Sequence, residues 1–290
     1  VATSTTTESI GYGQGPALKA PAWHALVTWD MLLNGLTTGL FLVAALGELA
    51  LPETFAPVAR WAYPLALLFL AADLLLLTLD LGDPLRFHRM LRMFKPGSPM
   101  SVGVWSLTIY SLPLTVATLL SVFSAGGILE TVRVVAVVLG LTPALASAAY
   151  KGVLLSTTAQ HGWKDGRWLG AALTSGAVVL GCAAMLVLAH ATGHAAATAL
   201  LRPAFAALLV AHAVPLLLTA NELWPAGGGA PEAAARRTAF TVALVGSLLV
   251  PMVLLWFAAE PAGSIIAAAT VTLGSLVNRH ALVRRPHEQD

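Results

Sequence analysis

The chain has 290 residues, of which 57% are hydrophobic and only 10% charged, with a formal net charge of +2 and a mean hydropathy of +0.79. Soluble domains carry roughly 25% charged residues, so this complement cannot cover a water-soluble surface of such size, and a bilayer is the natural solvent. The near-zero net charge offers no electrostatic basis for a nucleic-acid partner. The single cysteine, Cys182, excludes an internal disulfide and a cysteine-held iron–sulfur centre. Set in an apolar run, it reads as a small packing residue.

Residues 1–20 are polar and small, with no basic stretch before a short apolar core, and are expected to form a flexible tail. Apolar runs follow at about 25–50, 57–81, 101–124, 130–155, 167–191, 202–222, 236–258 and 262–283. Each approaches or exceeds the roughly 20 residues that cross a bilayer as a helix. Barrel strands would be shorter and would alternate polar with apolar residues. The expected fold is an all-α integral membrane protein of about eight transmembrane helices, grouped as four-helix bundles over 21–166 and 167–290. Short connections make successive helices antiparallel neighbours. Longer loops fall at 82–100 and at 223–235, where LWPAGGGAPEAAA reads as a linker. Pro64, Pro113, Pro143, Pro215 and Pro251 sit inside expected helices, which membrane helices tolerate. The Gly35-x-x-x-Gly39 face permits close helix contact.

An even number of spans places both ends of the described topology on one face, the N side. That face carries Lys19, Arg86, Arg89, Arg92, Lys95, Lys151, Lys164, Arg167, Arg236, Arg237, Arg279, Arg284 and Arg285, against Arg60, Arg133 and Arg202 opposite. The positive-inside bias puts the N side in the cytoplasm of a plasma membrane. A basic loop that docks a partner subunit would give the same pattern.

Ionisable residues inside spans point to function. Asp30 and Asn34 share one face of the first helix, one turn apart. Asp80 closes the second helix, with Asp73 two turns deeper, and Ser101 opens the third. Tyr150 and Lys151 stand near the end of the fourth. Up-down order brings Asp30, Asp80, Ser101, Tyr150 and Lys151 to similar depth in the N-side leaflet, beneath the basic loop DPLRFHRMLRMFKPGSP that contains Arg86. No comparable cluster is expected in the second four helices. Such a pocket suits a quinone head group: Tyr150 supplies a hydrogen bond and Asp30 a proton. An ion pair of Asp30 or Asp80 with Lys151 or Arg86 is the structural alternative, and Asp73 reads first as an interhelical hydrogen-bonding group. Haem between helices requires facing histidines. Only His212 lies deep in a span, so no haem is expected in this chain. His190 and His194 have metal-ligand spacing but lack a third ligand, and they read as interface polarity.

Three segments resemble the NrfD/PsrC family, the membrane subunits of polysulfide reductase-like molybdopterin oxidoreductases. LLNGLTTGLFLVAAL (32–46) is similar to that family's glycine-rich first helix. DLGDPLRFHRML…KPGSPMSVGVW (80–105) resembles its DLGRPLRF…PTSPMSxGxW stretch, and YKGVLLSTTAQHGW (150–163) its YxGxLL…PLW segment. The resemblance implies a haemless site for menaquinone or ubiquinone. It also implies an iron–sulfur partner subunit leading to a molybdopterin catalytic subunit, as in anaerobic respiration. In polysulfide reductase an asparagine and a histidine on the first helix and a tyrosine on the fourth hold the head group. Tyr150 matches the tyrosine, whereas Asp30 stands at the histidine position and Val27 at the asparagine position. The expected site is therefore Asp30 and Tyr150 for chemistry, with Asn34, Asp80, Arg86, Ser101 and Lys151 around the quinone.

The competing class is a small-solute or ion transporter, which intramembrane acids and proline-broken helices also fit. Against it, the halves show no internal repeat, and the acids lie toward one leaflet rather than at the midplane. A structural anchor with a degenerate site ranks third.

Overall fold

A computed structural model describes residues 25–285 except 81–87, 89–90, 124–125, 159, 161, 165 and 225–230, and excludes the side chains of 231–240, 242 and 243. The polar tail, Arg86 and the centre of the 223–235 linker lie outside the described residues.

Among the described residues the chain forms eight α-helices and no strand: α1 (Ala25–Ala50), α2 (Pro52–Leu79), α3 (Pro99–Phe123), α4 (Ile128–Ser156), α5 (Leu169–Ala191), α6 (Ala195–Leu223), α7 (Pro231–Phe257) and α8 (Ala262–Arg284). At 1.5 Å per residue even the shortest reaches about 35 Å, enough for a hydrocarbon core of about 30 Å. Seven are long and apolar enough to span, and in α7 the described apolar stretch is Leu244–Phe257. Large apolar side chains face outward along the helices, among them Leu68, Leu112, Leu139, Val210, Leu249 and Leu273. In water that surface would aggregate; in lipid it is the solvent-matched face.

Five helices start earlier than their apolar runs, α2, α6 and α7 by five residues or more. Leu51 alone separates α1 from α2, and Pro52 opens α2, where a missing N–H is harmless. Pro57 and Pro203 thereby join the helix interiors, beside the five prolines expected there. The tight α5–α6 connection depends on Gly193 at φ +73°, which lets His194 N–H return to the Ala189 carbonyl at 2.9 Å.

α1 and α5 form the centre. α1 packs against α2, α4, α5 and α8, and α5 against α1, α4, α6 and α8. Their most apolar stretches are 67% and 56% buried, against at most 39% for the other spans. They meet backbone to backbone: a Cβ on Gly39 would lie 1.7 Å from the Ala177 carbonyl oxygen, and one on Gly181 2.0 Å from the Gly39 carbonyl carbon. Above this crossing, Met31, Leu155, Trp163, Leu169, Leu223 and Leu282 form a separate apolar cluster on the N side. Trp163 fastens it by donating Nε1–H to the Leu282 carbonyl at 2.7 Å, so the α4–α5 loop is pinned to the end of α8.

Candidate functional site

α1, α2 and α4 each present a polar face to the others in the N-side leaflet. Lys151 Nζ lies 2.8 Å from Asp30 Oδ2 and 3.5 Å from Asp73 Oδ1, and it also donates to the Asp30 carbonyl at 3.2 Å. Asn34 Nδ2 donates to Asp73 Oδ2 at 3.3 Å and to Ser147 Oγ at 3.2 Å. Helical spacing explains the convergence: Asp30 and Asn34 are one turn apart on α1, as are Ser147 and Lys151 on α4. All five side chains are buried, with Asp73 and Ser147 fully so.

Two acids surround one ammonium, so the cluster is neutral when the carboxyl pair holds one proton and carries a single negative charge when it holds none. Asp30 Oδ1 is buried and makes no hydrogen bond among the described residues. Tyr150 stands beside the cluster with the Lys151 ammonium 5.7 Å from its ring centroid. Its ring fills the space left by a missing side chain on α3: a Cβ on Gly103 would fall 2.0 Å from Tyr150 Cδ2.

The structure therefore gathers Asp30, Asn34, Tyr150 and Lys151, and adds Asp73 and Ser147. Asp80 is not part of this group; it caps α2 and is exposed. Ser101 is half-buried and serves the α2–α3 loop, accepting from Lys95 N–H at 3.0 Å and donating to the Met93 carbonyl at 3.4 Å.

Polar contacts continue down α1. Thr37 Oγ1 donates to the Ala66 carbonyl at 2.7 Å, and Tyr110 Oη donates to the Thr37 carbonyl at 3.0 Å. Phe41 then intervenes, its ring centroid 5.4 Å from that of Tyr110 and 5.7 Å from that of Tyr63. Beyond it lies a second buried centre, which contains Arg133, counted from the sequence among the charges of the opposite side. Tyr63 Oη donates to Glu48 Oε2 at 2.5 Å, and Arg133 binds Glu48 through both terminal nitrogens, one at 3.1 Å. Arg133 also pairs with Glu130, which reaches the exposed Arg60 at 3.7 Å. Arg133 is 1% exposed, so it is an interior counter-ion and carries no weight as a surface charge.

The second four helices, where no comparable cluster is expected, hold a smaller set of polar groups. His212 Nδ1 is 2.8 Å from Ser175 Oγ, and Arg279 is buried nearby. Near the opposite face, His190 Nε2 lies 2.8 Å from Glu260 Oε2, and Arg202 pairs with the same carboxylate at 3.0 Å. His194 turns instead to Thr192 Oγ1 at 2.8 Å.

Fold and site together define a multi-pass helical membrane protein with an acid–lysine centre buried in one leaflet. A family model described as "Polysulphide reductase, NrfD" matches residues 17–285, nearly the whole chain. The chain belongs to the NrfD family, the membrane subunits of polysulfide reductase-like oxidoreductases. No curated protein matches it.

Proposed function

We propose that this chain is the membrane anchor and quinone-reactive subunit of its complex, passing electrons between the quinone pool and an iron–sulfur partner that serves a molybdopterin catalytic subunit. The observation that carries this reading is the buried Asp30–Lys151–Asp73 centre with Tyr150 at its edge. The residues fit a quinone head group: among the described residues Asp30 Oδ1 is a buried acceptor without a partner, and Tyr150, whose ring is seated against Gly103, carries a hydroxyl donor. The quinone/quinol couple would exchange two electrons and two protons per full turnover. Asp30 and Asp73 hold and exchange the proton, Lys151 keeps the pair from carrying excess negative charge, and Asn34 fixes the Asp73 carboxylate. Val27 and Asp30 in place of the family's asparagine and histidine make this a carboxylate variant of the site.

The exposed basic residues Arg92, Lys95, Lys164, Arg167 and Arg284 support cytoplasmic placement of the N side, with Arg60 exposed opposite. Lys151 and Arg279 drop out of that comparison because both are buried. The same basic face is our proposed docking surface for the partner. The two-bundle division belongs to this proposal, with α1 and α5 as the seam between halves.

The test is quinol-linked turnover of the intact complex. Asp30→Asn is expected to lower it about a hundredfold, the scale of a lost proton-transfer group. Tyr150→Phe should lower it roughly tenfold, the scale of one hydrogen bond, with subunit assembly preserved in both. Gly103→Ala, which displaces the Tyr150 ring, should act in the same direction as Tyr150→Phe. Native turnover in Asp30→Asn and Tyr150→Phe together would remove the site from this pocket.

A further inference from the structure

Among the described residues the buried cation of the second half has no counter-ion. Arg279, on α8, is 5% exposed. Its Nε donates to the Met31 carbonyl at 3.2 Å, and its Nη1 donates to the Ser275 carbonyl at 3.3 Å and to Ser275 Oγ. These acceptors are neutral, and they use only part of the five N–H groups of a guanidinium. Among the described residues no carboxylate lies within ion-pair distance of it. An isolated charge in a low-dielectric interior is strongly disfavoured unless an opposite charge joins it.

Arg279 lines a cavity of about 50 Å³ between α5, α6 and α8. Thr219 and Asn278 line it too, and among the described residues Thr219 Oγ1 and Asn278 Oδ1 are buried without hydrogen-bond partners. Thr219 is only 4% exposed. His212 closes one side, lying over Gly176, where a Cβ would be 3.2 Å from the ring. The placement parallels the first half: the start of α5 and the ends of α6 and α8 surround this cavity, as the start of α1 and the ends of α2 and α4 surround the Asp30 centre. Here the acids are missing and the cation remains.

We propose that this cavity is a binding site for a small, singly charged oxyanion. One water needs about 10–15 Å³ of such space, so the cavity holds three or four heavy atoms, the size of formate or hydrogencarbonate and far below a quinone ring. The negative charge answers Arg279, the anion's oxygens accept from the guanidinium and the Thr219 hydroxyl, and a protonated oxygen serves Asn278 Oδ1. Hydrogencarbonate satisfies all three, and formate satisfies the first two. No covalent step is involved, and the site is independent of the quinone assignment.

The experiment titrates sodium formate and sodium hydrogencarbonate into the purified full chain in its complex, at constant ionic strength held with sodium chloride. Thermal unfolding and the fluorescence of tryptophan are followed; Trp224 lines the cavity. A saturable rise in unfolding midpoint of roughly 5 °C is expected near saturation, with hydrogencarbonate binding more tightly than formate. Arg279→Gln should abolish the rise. Without added oxyanion, the same variant should be at least as stable as the native chain, because it deletes the uncompensated charge. Thr219→Val, a near-isosteric change, should weaken binding about tenfold and serves if Arg279→Gln fails to assemble. Absence of a saturable response in the native chain means that water alone fills the cavity, and it overturns the proposal. An equal response in Arg279→Gln, or in Thr219→Val where that variant stands alone, also overturns it.

Discussion

Replacing Lys151 by methionine is expected to abolish quinol-linked turnover and to destabilise the α1–α4 region by roughly 3–5 kcal/mol, the loss measured when one partner of a buried ion pair is removed. Lys151 reaches both acids of the centre and also the Asp30 carbonyl. Methionine keeps the length of the stem but leaves Asp30 and Asp73 facing each other with no cation in reach. The destabilisation and the functional loss have separable origins. Adding Asp73→Asn to Lys151→Met removes one of the stranded acids and should recover much of the unfolding midpoint. Turnover should stay absent, because the Asp30–Asp73 proton pair no longer exists. The two contributions are in contact, so the double variant should depart clearly from the sum of the singles. Native turnover in Lys151→Met would show that the buried centre is structural and that quinone chemistry lies elsewhere.

Half of that centre was legible before any coordinates. Asp30 and Asn34 announce a shared helix face by their spacing, and Tyr150 with Lys151 falls at matching depth once the helices alternate in direction. From the sequence Asp73 reads first as an interhelical hydrogen-bonding group. Depth counted from helix ends favoured Asp80, which the structure leaves exposed at the cap of α2. What decides between the two acids is reach: the Lys151 stem and the Asn34 amide extend inward to Asp73, and a pattern along a single helix carries no information on that. Ser101, placed at the same depth by spacing, commits its hydroxyl to the α2–α3 loop, which spacing along a helix does not encode. Arg133 sits near a span end and counts in the sequence as a charge of the opposite side, and Glu48 carries no sequence signal of its own. Their burial follows from pairing across α1 and α4, with Tyr63 of α2 completing the set. The helices themselves were the easiest feature, because a bilayer demands length and apolarity from every span.

Gly39→Ala is expected to prevent stable assembly, or to lower the unfolding midpoint more than any other glycine-to-alanine change in the described helices except its partner Gly181→Ala. Overpacking a core ordinarily costs about 1–3 kcal/mol, because side chains move aside. At this crossing nothing can move aside. The added methyl of residue 39 would stand 1.7 Å from the backbone oxygen of Ala177, and a methyl on Gly181 would stand 2.0 Å from the Gly39 carbonyl carbon. Relief requires α1 and α5 to separate as rigid bodies. Separation would also strain the anchor that Arg279 makes to the Met31 carbonyl, one residue from Asp30. Turnover should therefore fall along with stability in any fraction that still assembles. Gly97→Ala is the control, because a Cβ there meets nothing within 4 Å. The double variant Gly39→Ala with Gly181→Ala should be little worse than either single, since one displacement of α1 from α5 relieves both clashes. Extraction yield, size-exclusion behaviour and the unfolding midpoint of the intact complex check this. A Gly39→Ala complex that melts with the native one would mean the two central helices are not in backbone contact. The Asp30 centre would then lose the rigid α1 support on which its geometry depends.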